Sequence, residues 1–378
     1  MKHQKPNRAE GVVRVLFRRA GIELGGTAPH DIRVKDPQFY QRILADGSLG
    51  LGESYIDGFW ECDAIEDMIV KLIRAEVHKT TPLSPRLVAE GVKARVLNMQ
   101  RPRNAYDNIA HYDVGNELFE HMLGPTMAYS CGYWREAANL DEAQRAKFDL
   151  ICRKLLLRPG ERLLDIGCGF GTLAQHAAKN YGVEVVGITI ARQQHAYATK
   201  INAGLPVQIL LLDYRELRSL GKFDKVVSVG MFEHVGVKNY RRYFELAASV
   251  LPDEGLFLLH TIGTGISRHT GDGYLNKYIF PNGVLPSPTN LGRALEDVFV
   301  MEDWHNFGAD YYKTFGSWQE NFQRYAKSEN YPHDERFTRM WQYFLKLFGA
   351  SFRARTSCQL WQVVLSKRGV QGGYVSIR

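Results

Sequence analysis

Cysteine is scarce and unpatterned in this 378-residue chain: five residues (Cys62, Cys131, Cys152, Cys168 and Cys358), no two spaced Cys-x-x-Cys. An odd, small number at this length excludes a disulfide framework and a zinc ribbon, and fits a reducing cytoplasm. No metal site is expected. No apolar run approaches the ~18–20 residues that a membrane-crossing helix needs. Residues 1–10 are polar, with no apolar stretch behind them that would make a signal peptide. A cytoplasmic protein is therefore expected, and any lipid it handles must be reached from the water side. There is no low-complexity segment and no internal repeat.

Apolar residues at 45% and charged residues at 24% are ordinary for a globular protein. The length asks for more than one core. Net charge is +7, unevenly spread. Between residues 68 and 104 stand eight cations (Lys71, Arg74, Lys79, Arg86, Lys93, Arg95, Arg101, Arg103) against two acids, Glu76 and Glu90. Nucleic acid and anionic lipid would both attract such a patch, and a solvated helix face would carry it equally well. No RNA-binding module or base-stacking aromatic motif accompanies it, so a nucleic-acid partner is not expected.

Three blocks emerge. Residues 1–80 form an N-terminal domain with helical stretches at 12–20, 37–45 and 65–75. Its glycine run, Gly47-Ser48-Leu49-Gly50-Leu51-Gly52, lacks a preceding strand and reads as a plain turn. Residues 81–104 form a basic linker opening on Thr80-Thr81-Pro82-Leu83-Ser84-Pro85. Within it Val88, Val92 and Val96 recur at helical spacing, fit for a membrane surface or for packing on the next domain. From residue 105 to 378 short apolar runs (162–166, 183–190, 207–212, 225–229, 256–259) alternate with helical patterns (172–180, 191–203, 239–251). That alternation predicts a mainly parallel α/β sheet with helices on both faces. Two late runs, 299–304 and 360–366, predict an antiparallel edge hairpin around a helical insert at 314–352.

The strongest local signal is Leu164-Asp165-Ile166-Gly167-Cys168-Gly169-Phe170-Gly171, a strand entering Gly-x-Gly-x-Gly before a helix. Glycines there let the backbone turn sharply and approach a ligand. The spacing differs from the dinucleotide pattern Gly-x-Gly-x-x-Gly, and the preceding Asp165 suits a cationic ligand tail better than a pyrophosphate. S-adenosylmethionine, with its ammonium and sulfonium, fits; the stretch resembles the first motif of class I methyltransferases, a Rossmann-like fold. After the second strand stands Thr189 rather than the usual acid, with Gln194 five residues on. At the end of the third, Asp213 can accept from an adenine amine and Tyr214 can pack on the base.

Taken with His111-Tyr112-Asp113-Val114-Gly115-Asn116, Tyr129-Ser130-Cys131-Gly132-Tyr133-Trp134, Gly230-Met231-Phe232-Glu233-His234-Val235-Gly236, Leu259-His260-Thr261-Ile262-Gly263, Ile279-Phe280-Pro281-Asn282-Gly283 and Phe307-Gly308-Ala309-Asp310-Tyr311, these motifs make the chain similar to the cyclopropane fatty acid synthase family over nearly its whole length. The N-terminal block matches the longer, phospholipid-acting branch; shorter relatives acting on mycolic acids resemble it only from about His111. The family also has Thr at the position of Thr189. The resemblance implies methylene transfer from S-adenosylmethionine to the cis double bond of unsaturated phospholipid acyl chains, at the membrane surface, by a homodimer.

It implies a bound bicarbonate as general base, ringed by Cys131, Glu233, His260, the backbone of Ile262 and Tyr311. The chemistry suits: imidazole, phenol and thiol donate to an anion, and Glu233 accepts its hydroxyl. It also implies that Tyr129 and Ser130 touch the amino-acid end of the cofactor and that His111-Tyr112-Asp113 shapes the same pocket. Each residue has a plainer role, however: Cys131 as core, His260 as a satisfied strand histidine, Glu233 as a cap. Phe170, Tyr278, Phe280 and Trp304 suit an acyl channel, with core packing the commoner role for any one. Some relatives carry Cys shortly before Phe352-Arg353-Ala354-Arg355; here Phe348 stands there, and Cys358 lies beyond it. The rival readings are a same-fold methyltransferase leaving a methyl branch or acting on another acceptor, an RNA-directed methyltransferase, and a non-catalytic lipid-binding protein.

Overall fold

The computed structural model describes residues 8–77, 85–98, 100 and 115–378. The His111-Tyr112-Asp113 motif, the 80–84 boundary, Lys79, Arg101 and Arg103 lie outside the described residues.

The chain opens with α1 (Arg8–Arg19), which buries Val13, Leu16 and Phe17 on one face. A two-stranded antiparallel ladder, β1 (Arg33–Val34) with β2 (Trp60–Glu61), encloses α2 (Gln38–Asp46) and α3 (Ser48–Ile56). Next comes α4 (Ile65–Arg74), with Glu66 and Asp67 in its first turn and Lys71 and Arg74 in its last, matching its dipole.

Here the glycine run departs from expectation. Only Gly47 takes a turn conformation, at φ 56°, and residues from Ser48 on are helical. Its other glycines permit close packing rather than turning. A Cβ on Gly50 would lie 2.1 Å from the Arg42 carbonyl oxygen, and one on Gly52 would lie 2.2 Å from Tyr274.

Helix α5 (Pro85–Val96) leaves Val88, Val92 and Val96 exposed. Just beyond it, Asn98 donates to Asn239 and Gln100 to the Asn282 carbonyl, tying its end to the larger part of the molecule.

That larger part runs α6 (Asn116–Leu123), α7 (Leu140–Lys154), β3 (Arg162–Ile166), α8 (Thr172–Tyr181), β4 (Glu184–Thr189), α9 (Arg192–Ile201), β5 (Val207–Leu211), β6 (Lys225–Val229), α10 (Tyr240–Val250), β7 (Leu256–Gly263), α11 (Gly273–Tyr278), α12 (Pro288–Leu295), β8 (Val300–Asn306), α13 (Ala309–Tyr325), α14 (Glu335–Ala354) and β9 (Gln359–Ser366). The seven-stranded sheet has the order β5-β4-β3-β6-β7-β9-β8. Strands β3 to β7 pair in parallel, and β9 lies antiparallel between β7 and β8. This is the expected α/β sheet with its antiparallel edge, and β7 is buried along its whole length. The helical insert resolves into α13 and α14, the second capped by Asp334.

Strand order reverses between β3 and β6, which opens a crevice at the carboxyl ends of the strands where such sheets bind ligands. Helices α13 and α14 rise over that end. One hydrophobic core joins residues of α1–α4 (Val13, Phe39, Ile69) to residues of α13 and α14 (Trp318, Tyr343, Phe344). The front block thus packs on the helices above the crevice.

Candidate active site: two cavities that meet

From β3 the backbone enters Gly167, Gly169 and Gly171, all at positive φ (82°, 54° and 77°), where side chains are strained. Gly167 also permits close approach, since a Cβ there would lie 2.7 Å from Met231. A cavity of about 180 Å³ opens above this turn. Its walls include Tyr129, Ser130, Asp165, Gly167, Gly169, Thr189, Gln194, Asp213 and Tyr214. Gly171 stands behind the wall instead, where its lack of a side chain lets Ala198 of α9 come close.

Thr189 donates to Gln194 Oε1 at 3.1 Å and accepts from the Ala191 N–H. Asp213 differs from the simple adenine acceptor expected: Arg215 already donates to it from its backbone N–H (2.9 Å) and its guanidinium (2.7 Å). Tyr214 is a buried core aromatic, edge-on to Tyr243 and under the Arg215 guanidinium.

The cavity wall also holds a residue that sequence reasoning missed. Lys147 of α7 is fully buried and donates from Nζ to Ser130 Oγ at 2.7 Å. Burial lowers the Lys147 ammonium and raises the Asp165 carboxyl, while their mutual attraction pulls each back. The available signal was spacing: Lys147 falls in the buried stripe Leu140, Ala143, Gln144, Leu150, Ile151 of its helix.

A second cavity, about 510 Å³ and largely apolar, extends from the carboxyl end of β7 toward the front block. Glu233, His260, Ile262 and Tyr311 line it together. Glu233 follows β6 in a short 3₁₀ turn, and His260 and Ile262 end β7. The Ile262 N–H donates to Glu233 Oε1 at 2.7 Å. Among the described residues, Glu233 Oε2 and His260 Nε2 are buried with no hydrogen-bond partner. The amide of Gln362 lies 3.3 Å from His260 Nδ1, which as acceptor leaves the imidazole proton on Nε2.

Burial pushes the Glu233 carboxyl up to about 7, against the pull of the Ile262 N–H. Burial, with cationic Lys147 and Lys154 nearby, holds His260 well below its ordinary 6.5, so its imidazole is neutral. Cys131 does not join the other four in the wall. Its thiol, driven up by burial, faces the Gly132 carbonyl at 3.1 Å and Thr314 at 3.9 Å. Thiol donation to an anion in the cavity is not served by that geometry.

Of the four aromatics singled out, Phe280 lines this cavity and Phe170 the smaller one. Tyr278 donates instead to Glu53, and Trp304 packs on Trp361. Phe348 and Cys358 are wall residues of the larger cavity. Leu16, Phe17, Ile43, Ile69, Leu72 and Ile73 belong to its wall, so the front block helps enclose it. The two cavities share Tyr129, Ser130, Gly230 and His234. Burial brings the His234 imidazole down to about 4, so this junction is uncharged there. Sequence reasoning passed over His234 even though it quoted the motif containing it. Among the described residues no group of three His, Cys, Asp or Glu is placed to hold a metal ion, and no helix is long and apolar enough to cross a membrane.

A family model for mycolic acid cyclopropane synthetase matches residues 99–363. The cyclopropane-fatty-acyl-phospholipid synthase of Escherichia coli (strain K12) is 50% identical over 363 residues, covering 96% of this chain and 94% of that protein. Among solved structures, the cyclopropane synthase MmaA2 from Mycobacterium tuberculosis superposes with a TM-score of 0.65 at 30% identity, over 69% of this chain and 98% of its own. Mycolic acid cyclopropane synthase CmaA1, complexed with SAH and CTAB, does so with a TM-score of 0.65 at 31% identity, over 71% and 99%.

Proposed function

The chain belongs to the mycolic acid cyclopropane synthetase family, and from that premise we propose that it transfers a methylene from S-adenosylmethionine to the cis double bond of unsaturated phospholipid acyl chains, closing a cyclopropane ring. The observation that carries this reading is the junction at Tyr129, Ser130, Gly230 and His234, where a nucleoside-sized pocket opens into a long apolar one. An alkene is a weak nucleophile, so donor and acceptor must be held close and aligned. Two adjoining pockets that share four wall residues support that reading.

Methyl transfer leaves the acyl chain cationic, and water would trap it. Phe280, Phe315 and Trp318 wall the cavity with apolar surface. One proton must then leave the transferred methyl as the ring closes. Glu233 Oε2 and His260 Nε2 are buried polar atoms with no hydrogen-bond partner among the described residues, an acceptor and a donor on one wall. A small oxyanion carrying one proton matches that pair. Bicarbonate held there by Glu233, His260 and Tyr311 would supply the base, with the Ile262 N–H already engaged in orienting Glu233. Neutral His260 donates to the anion, and ionised Glu233 accepts its hydroxyl and stabilises nearby positive charge. Cys131 takes no part in this, its thiol lying against the Gly132 carbonyl and Thr314.

We further propose that the enzyme meets the bilayer as a peripheral protein on its cytoplasmic side. The exposed stripe Val88, Val92, Val96 on α5, flanked by exposed Lys93 and Arg95, supports that reading. The deciding experiment incubates purified protein with monounsaturated phospholipid vesicles and methyl-labelled cofactor, followed by lipid mass spectrometry. The expected product is heavier by one CH2, resists mild hydrogenation and opens as a strained ring. A methyl-branched or hydroxylated product would overturn ring closure. Withdrawing dissolved carbon dioxide should depress turnover, and restoring bicarbonate should recover it; turnover indifferent to both would remove bicarbonate from the site.

A further inference from the structure

The larger cavity is buried where Glu233 and His260 line it and open where it reaches the loop between β7 and α11, residues 264–272. Ile266, Arg268 and Thr270 are exposed and line that mouth. Arg268 is the single Lys or Arg among the described residues of the cavity wall. We propose that this loop is the headgroup site of the enzyme, where Arg268 takes the phosphodiester of the phospholipid; the proposal rests on the phospholipid reading above.

Three observations converge on it. An acyl chain whose double bond reaches Glu233 lies along the apolar cavity, so its ester and phosphate are left at the exposed end. A guanidinium presents two parallel N–H donors that match two phosphate oxygens. Away from Glu233, the other charged residues of this wall among the described residues are acids, Asp46 and Glu76 on the front block and Asp272, which caps α11, so Arg268 is the group there whose charge is opposite to that of a phosphate. The loop is also held at both ends: Thr264 N–H donates to the Pro286 carbonyl, the Ser267 and Ser287 hydroxyls are 2.6 Å apart, and Asp272 caps α11. Ile266, 49% exposed two residues from Arg268, provides an apolar contact for the boundary between headgroups and acyl chains.

The test compares dioleoyl phosphatidylethanolamine with dioleoylglycerol, each in neutral-detergent micelles, for wild type, Arg268→Ala and Arg268→Lys. The ratio of kcat/KM for phospholipid over diacylglycerol should fall about tenfold in Arg268→Ala, the loss of a charge-assisted pair, and less in Arg268→Lys, which keeps the charge without the fork. An unchanged ratio in Arg268→Ala would overturn the headgroup site, as would a wild type that treats both lipids alike. A wild type that methylenates neither lipid would instead overturn the functional reading on which the site rests.

Discussion

Replacing Glu233 by Gln separates function from stability with opposite signs. Gln keeps the shape, and its amide oxygen can still accept the Ile262 N–H that Glu233 Oε1 now takes at 2.7 Å. What changes is the second atom, Oε2, which becomes a donor facing the cavity. If that atom must accept from an oxyanion hydroxyl, turnover should fall by about 10²–10³, while S-adenosylhomocysteine binding, housed in the neighbouring cavity, should stay within about twofold.

Stability runs the other way. The carboxyl is raised from its ordinary 4.5 to about 7. The folded state therefore holds its proton more tightly than the unfolded one, and stability falls as pH rises from 4.5 through 7. At about 1.4 kcal/mol per unit, the ionised carboxyl destabilises the fold by about 3 kcal/mol above that window. Gln carries no such penalty. Urea unfolding at pH 5 and pH 8 should show the variant gaining about 2–3 kcal/mol on wild type between the two. The wild-type rate should climb with pH to a plateau above 7, and the variant should lose that limb. A variant that keeps wild-type turnover, or shows no relative gain at pH 8, would refute the assignment of Glu233 as a buried acceptor.

Lys147→Met should weaken S-adenosylhomocysteine binding about tenfold or more by removing the cation beside Ser130 and Asp165; calorimetry giving an unchanged Kd would show that Lys147 only fills space. Leu72→Trp should fill the far end of the larger cavity and cut turnover of long acyl chains at least about tenfold, with cofactor binding intact; normal turnover in the lipid assay would place the chain elsewhere. Gly52→Ala should lose about 3 kcal/mol in urea unfolding, because its Cβ would lie 2.2 Å from Tyr274 and 2.9 Å from Tyr343; a loss under about 1 kcal/mol would mean that α3 has room to shift.

Much of the sheet was legible because its strands are short apolar runs bounded by helical periodicity, and the runs at 162–166 and 225–229 coincide with β3 and β6. The glycines after β3 were legible because positive φ leaves a residue-type mark. The glycines at 50 and 52 carry the same mark for another reason: they admit Arg42 and Tyr274 from distant segments, and nothing local distinguishes close approach from a turn. Side-chain direction was equally hidden. The family pattern groups Cys131 with Glu233 and His260, yet the thiol points to Gly132. Lys147 looks like an ordinary solvated helix charge until its stripe is counted. The contribution of the front block to the larger cavity could not be foreseen, because Leu16 and Ile69 meet there with residues as distant as Tyr311 and Phe348.

That shared cavity bears on how such enzymes diversify. The solved mycolic acid synthases align over nearly all of their own length but only about seven-tenths of this chain, and the family model begins at residue 99. On the proposed reading, the residues around the reacting atoms belong to one segment of the polypeptide, while part of the wall of the larger cavity belongs to another that can be exchanged. On that reading, grafting a different leading segment should retune which tails are accepted and leave Glu233 and His260 in place, so lipid preference and chemistry can evolve on separate tracks.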